Sequence, residues 1–193
     1  MKRNTRDDII RATASLMQQK GYFGTGLNDI IKESGAPRGS IYYHFPNGKE
    51  EIAQEAVKWT KDHVTSLIRQ ELGKKEDALS AIQLFIMDSV KRFEADKYFS
   101  GVPIAALVLE TSSSSDVLKE CCHEAFEEWS GEFTSKIISN GFKHEEAERL
   151  GKWINSMIQG AFISALAKGD GEPLRNAAEM LPVVFKKTEN VRK

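Results

Sequence analysis

With 193 residues, 40 % of them hydrophobic, the chain is long enough to bury a substantial core, as one large domain or as a small one joined to a medium one. A formal net charge of −1 excludes a uniformly basic nucleic-acid-binding polypeptide, and two adjacent cysteines, Cys121 and Cys122, exclude a disulfide framework, which fits a reducing cytoplasm. No stretch approaches about 18 uncharged apolar residues, so no membrane span is expected, and Lys2 and Arg3 are not followed by the apolar run of a signal peptide.

The charge is unevenly divided. Residues 1–49 carry eight Lys/Arg and four acids, a net of +4, and the remainder is left with −5. A basic head on an acidic body places any phosphate-binding surface at the N-terminus. Ten Phe, three Trp and only five Pro favour helices over a turn-rich sheet.

The first helix opens at Thr5, where Thr5-Arg6-Asp7-Asp8 reads as a capping box, and Ile9, Ala12, Leu16 and Met17 follow at helical spacing. Gly21 stops it. Leu27, Ile30 and Ile31 form the apolar side of a short second helix, with Thr25 placed to cap it and Gly35 to end it in a left-handed conformation. Pro37 fits the first turn of a third helix running to Phe45, and Pro46-Asn47-Gly48 is a turn. Lys49 starts a fourth helix reaching about Glu71. Helices are then expected over roughly 76–96, 103–111, 115–140, 144–168 and 172–188, the last interrupted by Pro182, which should kink it. The fold class is therefore all-α. Helix 144–168 is apolar around much of its circumference (Leu150, Trp153, Ile154, Met157, Ile158, Ala161, Phe162, Ala165, Leu166), so it needs partners on more than one face.

Residues 25–45 hold the sharpest functional signal. Two short helices joined by a tight turn have the lengths of a helix-turn-helix, whose second helix enters a major groove about 12 Å wide by its N-terminal end. Here that end carries Arg38, able to offer paired donors to a guanine edge, Gly39, which permits close backbone approach, and Ser40. Tyr42, Tyr43 and His44 add donors suited to phosphate oxygens, and the helix N-termini near Thr25 and Lys49 add positive dipole ends. The competing reading is an ordinary helical hairpin whose aromatics are core.

The runs Thr25-Gly26-Leu27-Asn28-Asp29-Ile30-Ile31, Gly35-Ala36-Pro37-Arg38-Gly39-Ser40-Ile41-Tyr42-Tyr43-His44-Phe45 and Asn47-Gly48-Lys49-Glu50 closely resemble the DNA-binding domain of TetR-family repressors. The resemblance covers residues 5–57. The wording of residues 36–40 and 45–50, with Gly101-Val102-Pro103-Ile104-Ala105-Ala106-Leu107, is similar to the LmrA/YxaF subgroup. The resemblance implies a homodimer of about nine helices, with a three-helix helix-turn-helix domain over 1–48 and a ligand-binding and dimerisation body over 49–193. It implies Thr25, Tyr42, His44 and Lys49 on phosphates, Arg38, Ser40 and Tyr43 in the groove, and Asn28, Pro37 and Gly39 within the DNA-binding set. Ile31 departs from the Ala found in many members, a change expected to alter packing only. The implied partners are a double-stranded operator, a second copy through the last two long helices, and a small aromatic or lipophilic inducer, with no cofactor, no enzymatic activity and no membrane. Candidate pocket residues are Trp59, Phe85, Phe93, Phe99, Trp129, Phe133, Met157 and Phe162, all of which could equally be plain core.

Other motifs carry little. Cys121-Cys122-His123-Glu124 invites a metal or thiol-sensing site, but consecutive helical residues diverge and no second cluster accompanies them. The glycines of residues 21–26 lack dinucleotide-binding spacing, and no nucleophile elbow is present. A helical protein that sequesters an aromatic compound, or an enzyme, is the alternative to a DNA-binding regulator.

Overall fold

The computed structural model describes residues 5–95 and 104–189, which form nine α-helices and, among them, no strand. The helices are α1 Thr5–Gly24, α2 Leu27–Ser34, α3 Arg38–His44, α4 Lys49–Leu72, α5 Ala78–Ala95, α6 Ile104–Thr111, α7 Asp116–Ser139, α8 His144–Lys168 and α9 Glu172–Glu189. The all-α expectation is met, helix by helix. Phe99, expected in a pocket, and Lys2, Arg3 and the segment Gly101-Val102-Pro103 lie outside the described residues. The helices gather into two compact units. One holds 5–63 with 104–126, the other 64–95 with 127–189.

In the first unit, α1 packs on α2, α3 and α6. Its apolar repeat places Ile9, Ala12, Leu16 and Met17 inside, where they meet a core shared with Ile30, Ile41, Phe45, Ile52, Ala53, Ala56 and Val57. Each large side chain fully buried there contributes about 1.5–3 kcal/mol of transfer free energy. Arg6 closes the rim of this core. Its guanidinium sits 5.4 Å from the centroid of the Phe45 ring and pairs with Glu55, whose carboxylate also accepts from Lys58 at 3.1 Å.

Gly21 breaks α1 rather than ending it. Its φ of 72° and ψ of 176° turn the chain off the helical path, and one further turn follows to Gly24. The cap of α2 differs from expectation. Gly26 is the N-cap, and the Asp29 carboxylate accepts its N–H at 3.2 Å. Thr25 does not cap α2: its hydroxyl donates to the Gly21 carbonyl at 2.7 Å and its N–H to the Tyr22 carbonyl at 3.2 Å. Gly35 adopts the expected left-handed conformation (φ 62°, ψ 19°) and returns its N–H to Ile31. Pro37 stands one position before the first turn of α3, as its N-cap, where an extended ψ of 141° suits it.

In the second unit, α9 lies against both α5 and α8. Phe85 and Phe133 meet edge-on at 5.7 Å between centroids, as do Phe93 and Phe162, and Phe142 and Phe185. Helices α7 and α8 approach closely at Gly151, where an added Cβ would fall 2.2 Å from the Thr134 hydroxyl and 2.7 Å from the Ser130 carbonyl. Helix α9 continues on both sides of Pro182. The proline has no N–H for the Ala178 carbonyl one turn earlier, and the Gln83 side-chain amide of α5 supplies that donor instead, at 3.0 Å. The Glu71 carboxylate at the end of α4 is buried, and Lys74 and Arg92 hold it at 2.6 Å and 3.8 Å.

Candidate nucleic-acid interface

Helix α3 has two unlike sides. Ile41 is fully buried and Phe45, just past its end, locks under the head. On the opposite side Arg38, Gly39, Tyr42 and Tyr43 are exposed, Tyr43 at 82 % and Tyr42 at 53 %. Two large aromatic side chains standing in water on one turn are not core, which removes the hairpin-core reading for them. Ser40 and His44 are half-buried at the edges of this face, and Tyr43 meets His44 edge-on at 4.9 Å. Asn28, on the first turn of α2, and Pro37, at the entry to α3, are exposed. An added Cβ on Gly39 would meet nothing within 4 Å, so neither packing nor a left-handed φ calls for glycine there.

Lys49 is the first residue of α4, held beside the head. Its ammonium lies 4.2 Å from the centroid of the Tyr22 ring. Burial lowers its pKa below the ordinary lysine value, with the nearby Glu110 carboxylate acting in the other direction. The Tyr22 phenol is raised by burial and then by Glu50. The turn before α4 needs Gly48, at φ 75°, and the Asn47 N–H is accepted by Glu51 at 2.9 Å.

Two features of this face bear on the expectations. Thr25 is fully buried, and its hydroxyl and N–H both donate inside the protein. The N-termini of α2 and α4 are not bare positive ends: Asp29 occupies the first, and Glu50 and Glu51 stand in the first turn of the second.

The residues expected around a pocket are placed as follows. Phe85, Phe93, Trp129 and Phe133 are buried, Met157 and Phe162 are half-buried, and all belong to the second unit. Trp59, in the first unit, is half-buried and stacks on His63 at 5.5 Å with the rings 3° from parallel. Cys121 and Cys122 are both buried and free. Burial raises both thiols, that of Cys122 to about 12, the opposite direction from the lowered pKa of reactive cysteines. Among the described residues no three His, Cys, Asp or Glu side chains converge as metal ligands, and no helix is long and apolar enough to cross a membrane.

Tyr22 and Glu110 belong to no functional motif in the sequence. Glu110 of α6 accepts hydrogen bonds from the Tyr22 and Phe23 N–H groups, 88 and 87 residues away in the chain. Gly21 marked one end of that contact; nothing local marks the other.

Two family descriptions match the sequence. That of the bacterial regulatory proteins of the tetR family covers residues 9–56, and that of the C-terminal domain of LmrA/YxaF-like transcriptional regulators covers 78–180. The HTH-type transcriptional regulator YxaF of Bacillus subtilis is 43 % identical over 184 residues, 95 % of this chain and 96 % of its own. The HTH-type transcriptional regulator LmrA of the same organism is 37 % identical over 184 residues, 95 % of this chain and 98 % of its own. The crystal structure of a TetR transcriptional regulator from Legionella pneumophila superposes with a TM-score of 0.81 at 21 % identity, over 95 % of this chain and 99 % of that one, a likeness of fold. These families and relatives are transcriptional regulators, not enzymes.

Proposed function

Because the chain belongs to the tetR family of bacterial regulatory proteins, with an LmrA/YxaF-like C-terminal domain, and is thus a DNA-binding transcriptional regulator, we propose that it is a homodimeric repressor released from a palindromic operator by a small aromatic or lipophilic inducer. The observation that carries the DNA-reading part is the exposed face of α3. Arg38, Gly39, Tyr42 and Tyr43 stand in solvent on a helix whose other side is locked in the core. Arg38, Ser40 and Tyr43 are assigned to the major groove, Asn28, Tyr42, His44 and Lys49 to phosphates, and Pro37 and Gly39 to close backbone approach. Thr25 enters as a residue of the α1–α2 turn.

Self-association is assigned to α8 and α9. These helices pack on each other and leave Trp153, Ile163, Leu166, Met180 and Val183 exposed. Large apolar side chains repeated along two neighbouring helices favour a covering partner, and a second copy supplies one with matching faces. In this reading residues 1–48 read DNA and 49–193 dimerise and bind the inducer, within the cytoplasm. The aromatic side chains of the second unit, Phe85, Phe93, Trp129, Phe133 and Phe162, with Met157, are the candidate lining.

The test is selection of bound sequences from a random double-stranded pool, with Arg38→Ala in parallel. Enrichment of a two-fold palindrome is expected, with half-sites about 34–36 Å apart or at a multiple of that spacing. Arg38→Ala should blur one position of the consensus and cost about 1–3 kcal/mol. An equal loss on every sequence would move Arg38 to a phosphate, and the absence of any consensus at low salt would end the operator reading.

A further inference from the structure

Gly21 leaves the helical path of α1 at φ 72° and ψ 176°, and the N–H groups of Tyr22 and Phe23 turn to the Glu110 carboxylate of α6, at 2.8 Å and 3.2 Å. Both bonds are charge-assisted and end on one oxygen, Oε2. The carboxylate lies over the glycine itself: a Cβ at residue 21 would stand 2.3 Å from Oε1. Gly21 is therefore required for its positive φ, and the absent Cβ leaves room for the Glu110 carboxylate.

The entry to the helix-turn-helix is built on this break. Thr25 is tied back to the Gly21 and Tyr22 carbonyls, Gly26 caps α2, and the Tyr22 ring carries the Lys49 ammonium at the start of α4. A second tie runs nearby. Ser115, which accepts the Leu118 N–H in the first turn of α7, donates to the Glu50 carboxylate of α4 at 2.6 Å. The α6–α7 corner thus grips both the end of α1 and the start of α4.

We propose that Glu110 is a positioning residue for DNA binding, which lies outside the helix-turn-helix and fixes the broken end of α1 from which α2 and Lys49 take their places. The proposal rests on the reading of α3 as the DNA-facing helix. Glu110 touches no nucleic acid in it; its carboxylate holds two backbone donors that would otherwise leave the turn free to reorient, and binding by a loosened head is weakened by the fraction of molecules out of position.

The experiment uses the full chain, a duplex that the wild type selects from a random pool, and a scrambled duplex as control. Amide hydrogen exchange at Tyr22 and Phe23 is followed in parallel. In the wild type both amides should exchange at least about tenfold more slowly than the amides of exposed turns. Glu110→Ala, measured well below its melting point, should lose about tenfold in affinity for the selected duplex and lose protection at both amides. Glu110→Gln keeps an acceptor oxygen in the same place and should retain both properties within about threefold. A purely stabilising role would lower the melting temperature of both variants without altering affinity below it. Should Glu110→Ala fail to fold, Glu110→Asp, whose carboxylate is one methylene shorter and falls short of the two amides, takes its place with the same expected losses, and wild-type affinity in it would overturn the assignment. Wild-type affinity in the Ala variant, equal losses in both variants, or unprotected Tyr22 and Phe23 amides in the wild type would each overturn the assignment. A wild type that selects no consensus overturns the underlying DNA reading first, before any variant is made.

Discussion

Gly39 shares none of the reasons that fix Gly21, Gly35 and Gly48, each of which has a positive φ. It has no close neighbour, and glycine inside a helix costs about 0.5–1 kcal/mol relative to alanine. Nothing within the chain calls for glycine there, and the surface of DNA is the object that α3 faces in our reading. Gly39→Ala is therefore expected to raise stability by about 0.5–1 kcal/mol in urea denaturation and to weaken operator binding by about tenfold. Unchanged affinity would show that DNA does not come close at this residue. Lys49 makes a separate case at the same scale. If its ammonium meets a phosphate, Lys49→Ala should reduce the slope of log K against log salt by about 0.9. An unchanged slope would confine Lys49 to its contact with the Tyr22 ring.

At the scale of elements, α9 shows how tertiary structure tolerates a residue that helix rules forbid. Pro182 deprives the Ala178 carbonyl of its donor, and Gln83 restores it from α5. Gln83→Leu should cost about 1–3 kcal/mol, because it leaves that acceptor without a partner. Adding Pro182→Ala should recover much of the loss, since residue 182 then donates along its own helix. A double-mutant cycle in urea measures the coupling, and strict additivity would show that the two residues do not act on the same carbonyl. The same sequence rules located the boundaries of α4 to α9 well, since Gly73, Gly141 and Gly169 interrupt the apolar repeats where the helices end. They failed at the cap of α2. Thr25 is the better capping residue by composition, but its hydroxyl is drawn to the Gly21 carbonyl freed by the kink in α1.

For the whole molecule, the exposed apolar residues of α8 and α9 bear on self-association. Val183→Glu combined with Ile163→Glu would place charges on both exposed faces, where burial against an uncharged partner is costly. The dimer dissociation constant, measured by sedimentation, should rise by at least about tenfold, with helix content preserved and palindrome binding lost. A variant that remains dimeric would move the interface elsewhere. The charge division of the chain, +4 over residues 1–49 and −5 over the rest, acts at this scale too, favouring approach of the head to phosphates.

Local order determined much of this protein. The 3.6-residue repeat fixed the helices, the glycines with their neighbouring Pro and Asn fixed the turns, and the runs over residues 25–31, 35–45 and 47–50 carried the resemblance to the family. These features depend on residues within a few positions of one another, so they are legible without the fold. Only the tertiary structure decided that Thr25 is internal, that Gln83 completes α9, and that Glu110 closes the end of α1. Each of those depends on a hydrogen-bond donor or acceptor left open in one segment and satisfied by another: Gln83 meets Ala178 across 95 residues and Glu110 meets Tyr22 across 88. An orphaned backbone group can be foreseen from a proline or a kinked glycine, but the partner that satisfies it is chosen by packing.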